Sequence, residues 1–152
     1  MTRDVLVDAG PSQYLENISV GPHALVADEP ADFGGADAGP NPYELLLAAL
    51  GTCTSITVRM YAQRRQWPLQ DVRVKLSHGK VHADDCAGCA TENRTIDRIE
   101  MEISLLGDLS EEQRLRLLEV ANRCPVHRTL TSTIEISARG APSADAMTTL
   151  GS

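Results

Sequence analysis

Two stretches of the chain alternate apolar and charged or polar residues with a period of two. In the first, Val72, Val74 and Leu76 alternate with charged residues. The apolar positions of the second are Ile99, Met101, Ile103 and Leu105. This period is typical of half-buried β-strands. It predicts a long antiparallel hairpin whose first strand runs to about residue 83 and whose tip is formed by residues 84–95.

The N-terminal part of the chain carries brief runs of Val, Ile, Leu and Tyr, broken by two Gly-Pro pairs. These runs predict short strands around residues 4–8, 14–20 and 22–27. Residues 28–41 gather Pro, Gly and Asp with almost no periodicity, which indicates a loop. We therefore expect a β-meander followed by a loop.

A longer apolar pattern, spaced at three and four residues, follows this loop. Asn41 can cap a helix and Pro42 suits its first turn, while Trp67 precedes a proline that ends the helix near residue 66. The spacing predicts one apolar stripe with Cys53 at its middle. The stripe consists of Leu46, Ala49, Leu50, Cys53, Ile56, Thr57 and Met60.

A second helix is predicted over about residues 110–122. Ser110 and Gln113 form a capping box at its start. Pro125, just after Cys124, ends it.

The alternation of Ile134 and Ile136 predicts a last strand around residues 132–138. The element order is then βββ-α-ββ-α-β, with hairpins rather than βαβ crossovers, which predicts an α+β fold of antiparallel sheets packed on two helices. We expect one domain over residues 1–139 and a disordered tail over residues 140–152.

Charge and composition exclude several classes of partner. The 152 residues contain 14 basic and 21 acidic side chains, a net charge of −7, which opposes binding to nucleic acid or to an anionic membrane surface. The N-terminus lacks the apolar run of a signal peptide, and we expect no window to reach the ~20 apolar residues of a membrane span. We therefore expect a cytoplasmic protein.

Four cysteines in such a chain favour redox or metal chemistry over structural disulfides. Cys53 lies on the apolar stripe, where a thiol is either an inert small hydrophobe or a reactive group. Cys124 lies in RCPVHR, where Arg123, His127 and Arg128 could favour a thiolate. The same residues also fit a plain helix end.

The segments GPNPYELLLAALGTC and ANRCPVHRTL place these two cysteines in two separate motifs. They resemble the N-P-x-E-L-helix-Cys and C-P-[VIY]-[SH]-[KR] elements of the OsmC/Ohr family. The resemblance covers roughly residues 14–138 in element order and spacing. It is closer to the YhfA-like branch than to the best characterised hydroperoxide reductases.

The resemblance implies an OsmC-like fold, an intertwined homodimer with active sites at the subunit interface, and a thiol peroxidase that needs no cofactor. Cys53 would attack an organic hydroperoxide as a thiolate, and Cys124 would condense with the resulting sulfenic acid. A dithiol reductant would then reset the pair. The apolar surroundings predicted for Cys53 favour a lipid-like peroxide, and a chain of this size is expected to cover its apolar helix face with a second copy.

Three departures from the family pattern leave another function open. The glutamate that follows the helix-start proline in the peroxidases is replaced by Tyr43, and Glu44 falls one residue later, about 100° around the helix. Residues 8–30 contain no arginine to pair with it, and His127 stands where serine is common. Glu44 and His127 remain candidate catalytic residues. The alternative is a small-ligand-binding or otherwise thiol-reactive dimer without efficient peroxidase activity.

A C-x-x-C pair, Cys86 and Cys89, lies at the predicted hairpin tip. It is compatible with a redox dithiol, with part of a zinc site or with an incidental pair. His82 is a plausible third ligand, whereas His78, four residues away on an extended strand, would be about 13 Å distant from it. The sequence predicts a weak zinc site with three protein ligands.

Overall fold

The computed structural model describes residues 3–82 and 95–141, which form an α+β fold. The strands are β1 (Leu6–Ala9), β2 (Glu16–Val20), β3 (His23–Ala27), β4 (Leu69–His82) and β5 (Thr95–Gly107). The helices are α1 (Pro42–Arg65), α2 (Glu111–Ala121) and α3 (Pro125–Leu130), and a short 3-10 turn, Ala31–Phe33, lies in the loop before α1. The predicted fold class is confirmed.

The strands form two antiparallel sheets. Strands β1, β2 and β3 make a meander in that order, and β4 pairs with β5 as a hairpin. In the hairpin Val74 lies opposite Ile103, and Leu76 lies opposite Met101. Apolar residues of the two strands therefore face each other, and the predicted antiparallel hairpin is formed. Residues 83–94, which include most of the predicted tip, lie outside the described residues.

Helix α1 begins and ends where the sequence predicts. Asn41 caps it, and Gln66 closes it in the left-handed conformation with φ 55°. Strand β4 approaches α1 closely at Gly51, where an added Cβ would lie 2.7 Å from the Leu76 side chain. The core lies where α1, α2 and the hairpin meet, and its buried members are Val58, Ala62, Leu109, Leu117 and Ala121.

The apolar stripe predicted along α1 is not the face that this chain buries. Of its seven members only Leu50 is buried, whereas Ile56 and Met60 are 49% and 47% exposed. The buried positions are Leu50, Gly51, Thr54, Val58 and Ala62. One residue turns a helix by about 100°, and α1 is apolar on both of these sides. Periodicity therefore finds apolar positions without telling which of them the chain itself covers.

By length and composition alone, helix α1 is also long and apolar enough to cross a bilayer. The prediction that no stretch of the sequence reaches this length is therefore wrong. The core helix of a soluble protein meets the same criterion. Because α1 packs against β4, α2 and α3, we assign it to the protein core.

The chain ends differently from the prediction. A short helix, α3, follows Cys124 directly, and the last strand predicted around residues 132–138 is not formed. A strand needs a neighbour for its backbone hydrogen bonds, and none of the five described strands pairs with this segment. Ile136, one of its two alternating apolar residues, is 88% exposed. Residues 142–152 lie outside the described residues.

Candidate functional site: two thiols at the α1–α3 contact

Cys124 is the N-cap of α3 and is wholly buried. Small polar side chains normally occupy this position because they accept a hydrogen bond from a free N–H of the first turn. Here the sulfur does so: the backbone N–H of His127 donates to Cys124 Sγ at 3.3 Å. Pro125 follows at the first helical position, where its missing N–H leaves no bond unmade.

A threonine of α1 provides the second contact of this thiol. Thr54 Oγ1 lies 3.4 Å from Cys124 Sγ, and either atom can be the donor. The same hydroxyl lies 3.9 Å from Met101 Sδ on β5. Thr54 is itself completely buried. Helix α1, helix α3 and the hairpin therefore meet around one hydroxyl group.

Cys53 immediately precedes this threonine on α1. Neighbouring Cα atoms are about 3.8 Å apart, so the contact of Thr54 brings Cys124 to the helical turn that carries Cys53. Cys53 is half-buried, unlike Cys124. The Thr57 hydroxyl donates to the Cys53 carbonyl oxygen at 2.8 Å. The arrangement therefore combines a buried, hydrogen-bonded thiol with a more accessible one.

Glu44 is engaged at the start of α1. Its carboxylate accepts from the Asn41 backbone N–H at 2.8 Å, and its own N–H donates to Asn41 Oδ1 at 3.0 Å. These two bonds form a capping box. Nine residues separate Glu44 from Cys53, about 13 Å along the helix axis at ~1.5 Å per residue. The structure therefore places Glu44 in the helix cap, away from the thiols.

His127 contacts the site through its backbone. Its N–H donates to Cys124 Sγ, and the residue is half-buried. Its neighbours Arg123 and Arg128 are exposed. The sequence motif did not reveal this backbone hydrogen bond to Cys124.

Tyr43 lies beside a histidine of the hairpin. Its ring stacks on His78 with centroids 4.6 Å apart, and His78 Nε2 lies 2.8 Å from Asp97 Oδ1. A groove of about 550 Å³ opens here, with Phe33 and Leu47 among its apolar walls. The start of α1 thus carries an aromatic groove, with Tyr43 directly after the helix-start Pro42.

Asp28 anchors the loop before α1. Its buried carboxylate accepts three backbone hydrogen bonds, from Glu29 at 2.9 Å, Ala36 at 3.0 Å and Ala38 at 3.2 Å. Burial acts to raise the pKa of Asp28, but the three N–H donors outweigh it and hold the pKa below its ordinary value of 3.8. Gly35 is required here, because a Cβ would collide with the Glu29 carbonyl.

Sequence reasoning missed Thr54 and Asp28. The available signal for Thr54 was its position next to Cys53 in GTCTS, and for Asp28 its position at the head of a Gly-rich loop. Neither signal predicts the hydrogen-bond partner, because the partner of Thr54 is 70 residues away in the sequence and the farthest donor to Asp28 is ten residues away.

The predicted zinc ligands lie at the edge of the described structure. Cys86 and Cys89 fall outside the described residues, and of His82 only the backbone position at the end of β4 is described. Within residues 3–82 and 95–141 no group of three or more His, Cys, Asp or Glu side chains could hold a metal ion. The zinc site therefore stays a prediction.

Comparison with known proteins identifies the family to which the chain belongs. A family model described as OsmC-like protein matches residues 34–139, most of the chain. The chain therefore belongs to the OsmC-like protein family. A search of curated proteins found no match.

Solved structures share the fold at low sequence identity. An OsmC-like protein from Mycoplasma pneumoniae has a TM-score of 0.68 at 16% identity, covering 87% of this chain and 89% of that one. An organic hydroperoxide resistance protein from Elizabethkingia anophelis has a TM-score of 0.64 at 17% identity, over 89% and 91%. The organic hydroperoxide resistance protein OsmC from Legionella pneumophila gives 0.63 at 17%, over 87% and 90%. These similarities support the fold.

Proposed function

We propose that this protein reduces organic hydroperoxides with Cys53 as the attacking thiol and Cys124 as the resolving thiol. The observation that carries the proposal is the 3.4 Å contact of Cys124 with Thr54, the residue next to Cys53. The unequal burial of the two thiols supports their roles, because the attacking sulfur must meet a peroxide from solvent. Two relatives of this fold are named organic hydroperoxide resistance proteins.

The proposed reaction has two thiol steps. The Cys53 thiolate attacks the terminal peroxide oxygen, breaking the O–O bond to give a sulfenic acid and an alkoxide that takes up a proton. Cys124 then displaces the sulfenic oxygen as water and forms a disulfide. Two electrons have passed from the thiols to the peroxide. An external dithiol reductant restores both thiols by exchange.

Stoichiometric oxidation of the reduced protein tests this function. Cumene hydroperoxide should remove two free thiols per molecule, with Cys53 and Cys124 found as a disulfide. Cys53→Ser should consume no peroxide, whereas Cys124→Ser should stop at a dimedone-reactive sulfenic acid. The double variant Cys86→Ser/Cys89→Ser is the matched control, since it keeps the proposed pair. The proposal fails if both Cys53 and Cys124 stay reduced.

The proposed functional unit is a cytoplasmic homodimer. Besides the outer side of α1, the three-stranded sheet leaves apolar side chains uncovered: Leu6, Val7 and Leu25 are all more than half exposed. The substantial contacts of these strands are with one another. Scattered apolar residues are common on protein surfaces, but two apolar faces on one small chain favour burial against a second copy.

Two observations favour the competing function, a dimer that binds a small ligand. Glu44 is held in the helix cap, and the groove beside Tyr43 and His78 offers both an aromatic wall and polar groups. In that case Cys53→Ser would leave ligand binding unchanged, and Cys53 would alkylate with iodoacetamide at the rate of an ordinary thiol. Rapid alkylation of Cys53 would argue against this function.

We also propose weak zinc binding by Cys86, Cys89 and His82, a set of soft and nitrogen ligands suited to that ion. Metal analysis of protein purified without chelator should find zinc that is lost from Cys86→Ser/Cys89→Ser. Protein that contains no zinc would reject a tightly held site.

A further inference from the structure

The Thr54 hydroxyl faces two sulfur atoms but carries one hydrogen. It lies 3.4 Å from Cys124 Sγ and 3.9 Å from Met101 Sδ. A thioether sulfur can only accept a hydrogen bond, whereas a thiol can also donate one. Thr54 and Cys124 are both completely buried, so water cannot take over either bond. The direction of the Thr54 hydrogen therefore depends on whether Cys124 is protonated.

With Cys124 protonated, its S–H can donate to Thr54 Oγ1, which leaves the threonine hydrogen free to point toward Met101. With Cys124 ionised, the sulfur has no hydrogen and becomes the stronger acceptor. The hydroxyl must then turn so that Thr54 donates to Cys124, beside the N–H of His127 that already does so. Ionised Cys124 thus gains one donor, Thr54 on α1, in addition to the His127 N–H on α3.

We propose that Thr54 is a positioning residue for the resolving step, in which its hydroxyl turns from Met101 to Cys124 and holds the Cys124 thiolate for attack. This inference rests on the proposed peroxidase function. In that step the Cys124 sulfur bonds to the Cys53 sulfur, and the sulfenic C–S–OH loses its oxygen as hydroxide. The proton that Cys124 released converts this hydroxide to water, so atoms and electrons balance.

Rapid mixing of reduced protein with cumene hydroperoxide separates the two steps. The first phase is formation of the Cys53 sulfenic acid, and the second is formation of the disulfide. Thr54→Val keeps the shape of the side chain but removes its donor. It should slow the second phase about tenfold, as expected for one lost hydrogen bond to a charged group, and leave the first phase within about twofold. The pH midpoint of the second phase should move upward.

Three further variants separate positioning from packing. Thr54→Ser restores the hydroxyl and should recover most of the rate of the second phase. Thr54→Ala removes the hydroxyl in a smaller side chain, so it provides a second test should Thr54→Val fold poorly. Met101→Leu removes the competing acceptor at similar volume and should leave the second phase unchanged or up to about twofold faster.

Several outcomes would overturn the inference. A second phase of normal rate and unchanged pH midpoint in Thr54→Val would do so, and so would Thr54→Ser behaving like Thr54→Val. In both cases the first phase stays normal, so the peroxidase function survives. Absence of the first phase in the unaltered protein would instead overturn the proposed function, and this inference with it.

Discussion

The two apolar sides of α1 differ in what covers them. The inner side, with Thr54, Val58 and Ala62, is buried by other parts of the same chain. The outer side, with Ile56 and Met60, is about half exposed. Similar side chains thus serve two different surfaces on one helix. Apolar periodicity therefore identifies the surfaces of a helix that are suited to burial. It does not identify the element or the second chain that buries each of them.

The two thiols divide between these sides. Cys124 contacts the inner side through Thr54, whereas Cys53 belongs to the stripe that the chain leaves partly uncovered. If the outer side meets a second copy, Cys53 lies near that interface and Cys124 beneath it. Oligomeric state and thiol chemistry are then connected through a single helix.

A charge introduced on the outer side of α1 should have the largest effect, which is on the oligomeric state. Ile56→Glu would bury a carboxylate against the second copy, which is costly without a partner. Sedimentation at micromolar concentration should change from twice 16.4 kDa to 16.4 kDa. Leu115→Glu, at an exposed apolar position of α2, is the matched control and should remain dimeric. Unaltered protein sedimenting as a 16.4 kDa species would contradict the dimer.

A smaller effect, on the free energy of unfolding, should distinguish the two sides of α1 by its dependence on protein concentration. Val58→Ala removes two methyl groups from a site of 0% exposure and should lower the free energy of unfolding by about 2 kcal/mol. Urea unfolding should show this loss at every protein concentration. Ile56→Ala should cost stability only where the dimer is populated. The same loss at all concentrations in both variants would mean that the outer side, too, is covered within one chain.

The smallest effect concerns the loop before α1, which belongs to neither side. Because the pKa of folded Asp28 lies below its ordinary value of 3.8, its ionised form stabilises the fold at neutral pH, and this stabilisation is lost as the pH falls through the folded pKa. Asp28→Asn keeps one acceptor oxygen but no charge. It should lower the melting temperature by about 3 °C at pH 7, and its difference from the unaltered protein should shrink as the pH falls below 3.8.

Asp32→Asn, an exposed aspartate of the same loop, provides the control for Asp28→Asn and should leave the melting temperature unchanged. A difference between Asp28→Asn and unaltered protein that is equal at pH 7 and pH 3 would show that the Asp28 charge does not stabilise the loop. The change in melting temperature that each substitution causes should not depend on protein concentration, which distinguishes both variants from Ile56→Ala.

Local features of the fold were predictable from sequence. The pairing of β4 with β5 follows from the alternation that includes Val74 and Ile103, and helices α1 and α2 begin at capping boxes led by Asn41 and Ser110. These signals involve residues close in sequence or simple periodicity. The α3 helix was missed because a proline that ends one helix also suits the first turn of the next.

The remaining features depend on distant partners. The Thr54–Cys124 contact joins residues 70 apart, and no spacing rule specifies it. The segment around Ile134 and Ile136 has the pattern of a strand but no neighbour among the described strands. The strand prediction failed because a strand forms only where a second strand pairs with it, and the pattern of one segment does not show whether such a partner exists.

The separation of Thr54 from Cys124 also bears on the order of events during folding. The meander and the hairpin consist of contacts between consecutive strands, which form quickly, whereas contacts across long loops form late. On a ribosome adding ~5–20 residues per second, Cys124 is synthesised several seconds after Cys53. Throughout that interval Cys53 has no resolving partner. The protein that we propose to consume peroxide therefore passes through a stage in which peroxide can damage it, and docking of α3 ends that stage.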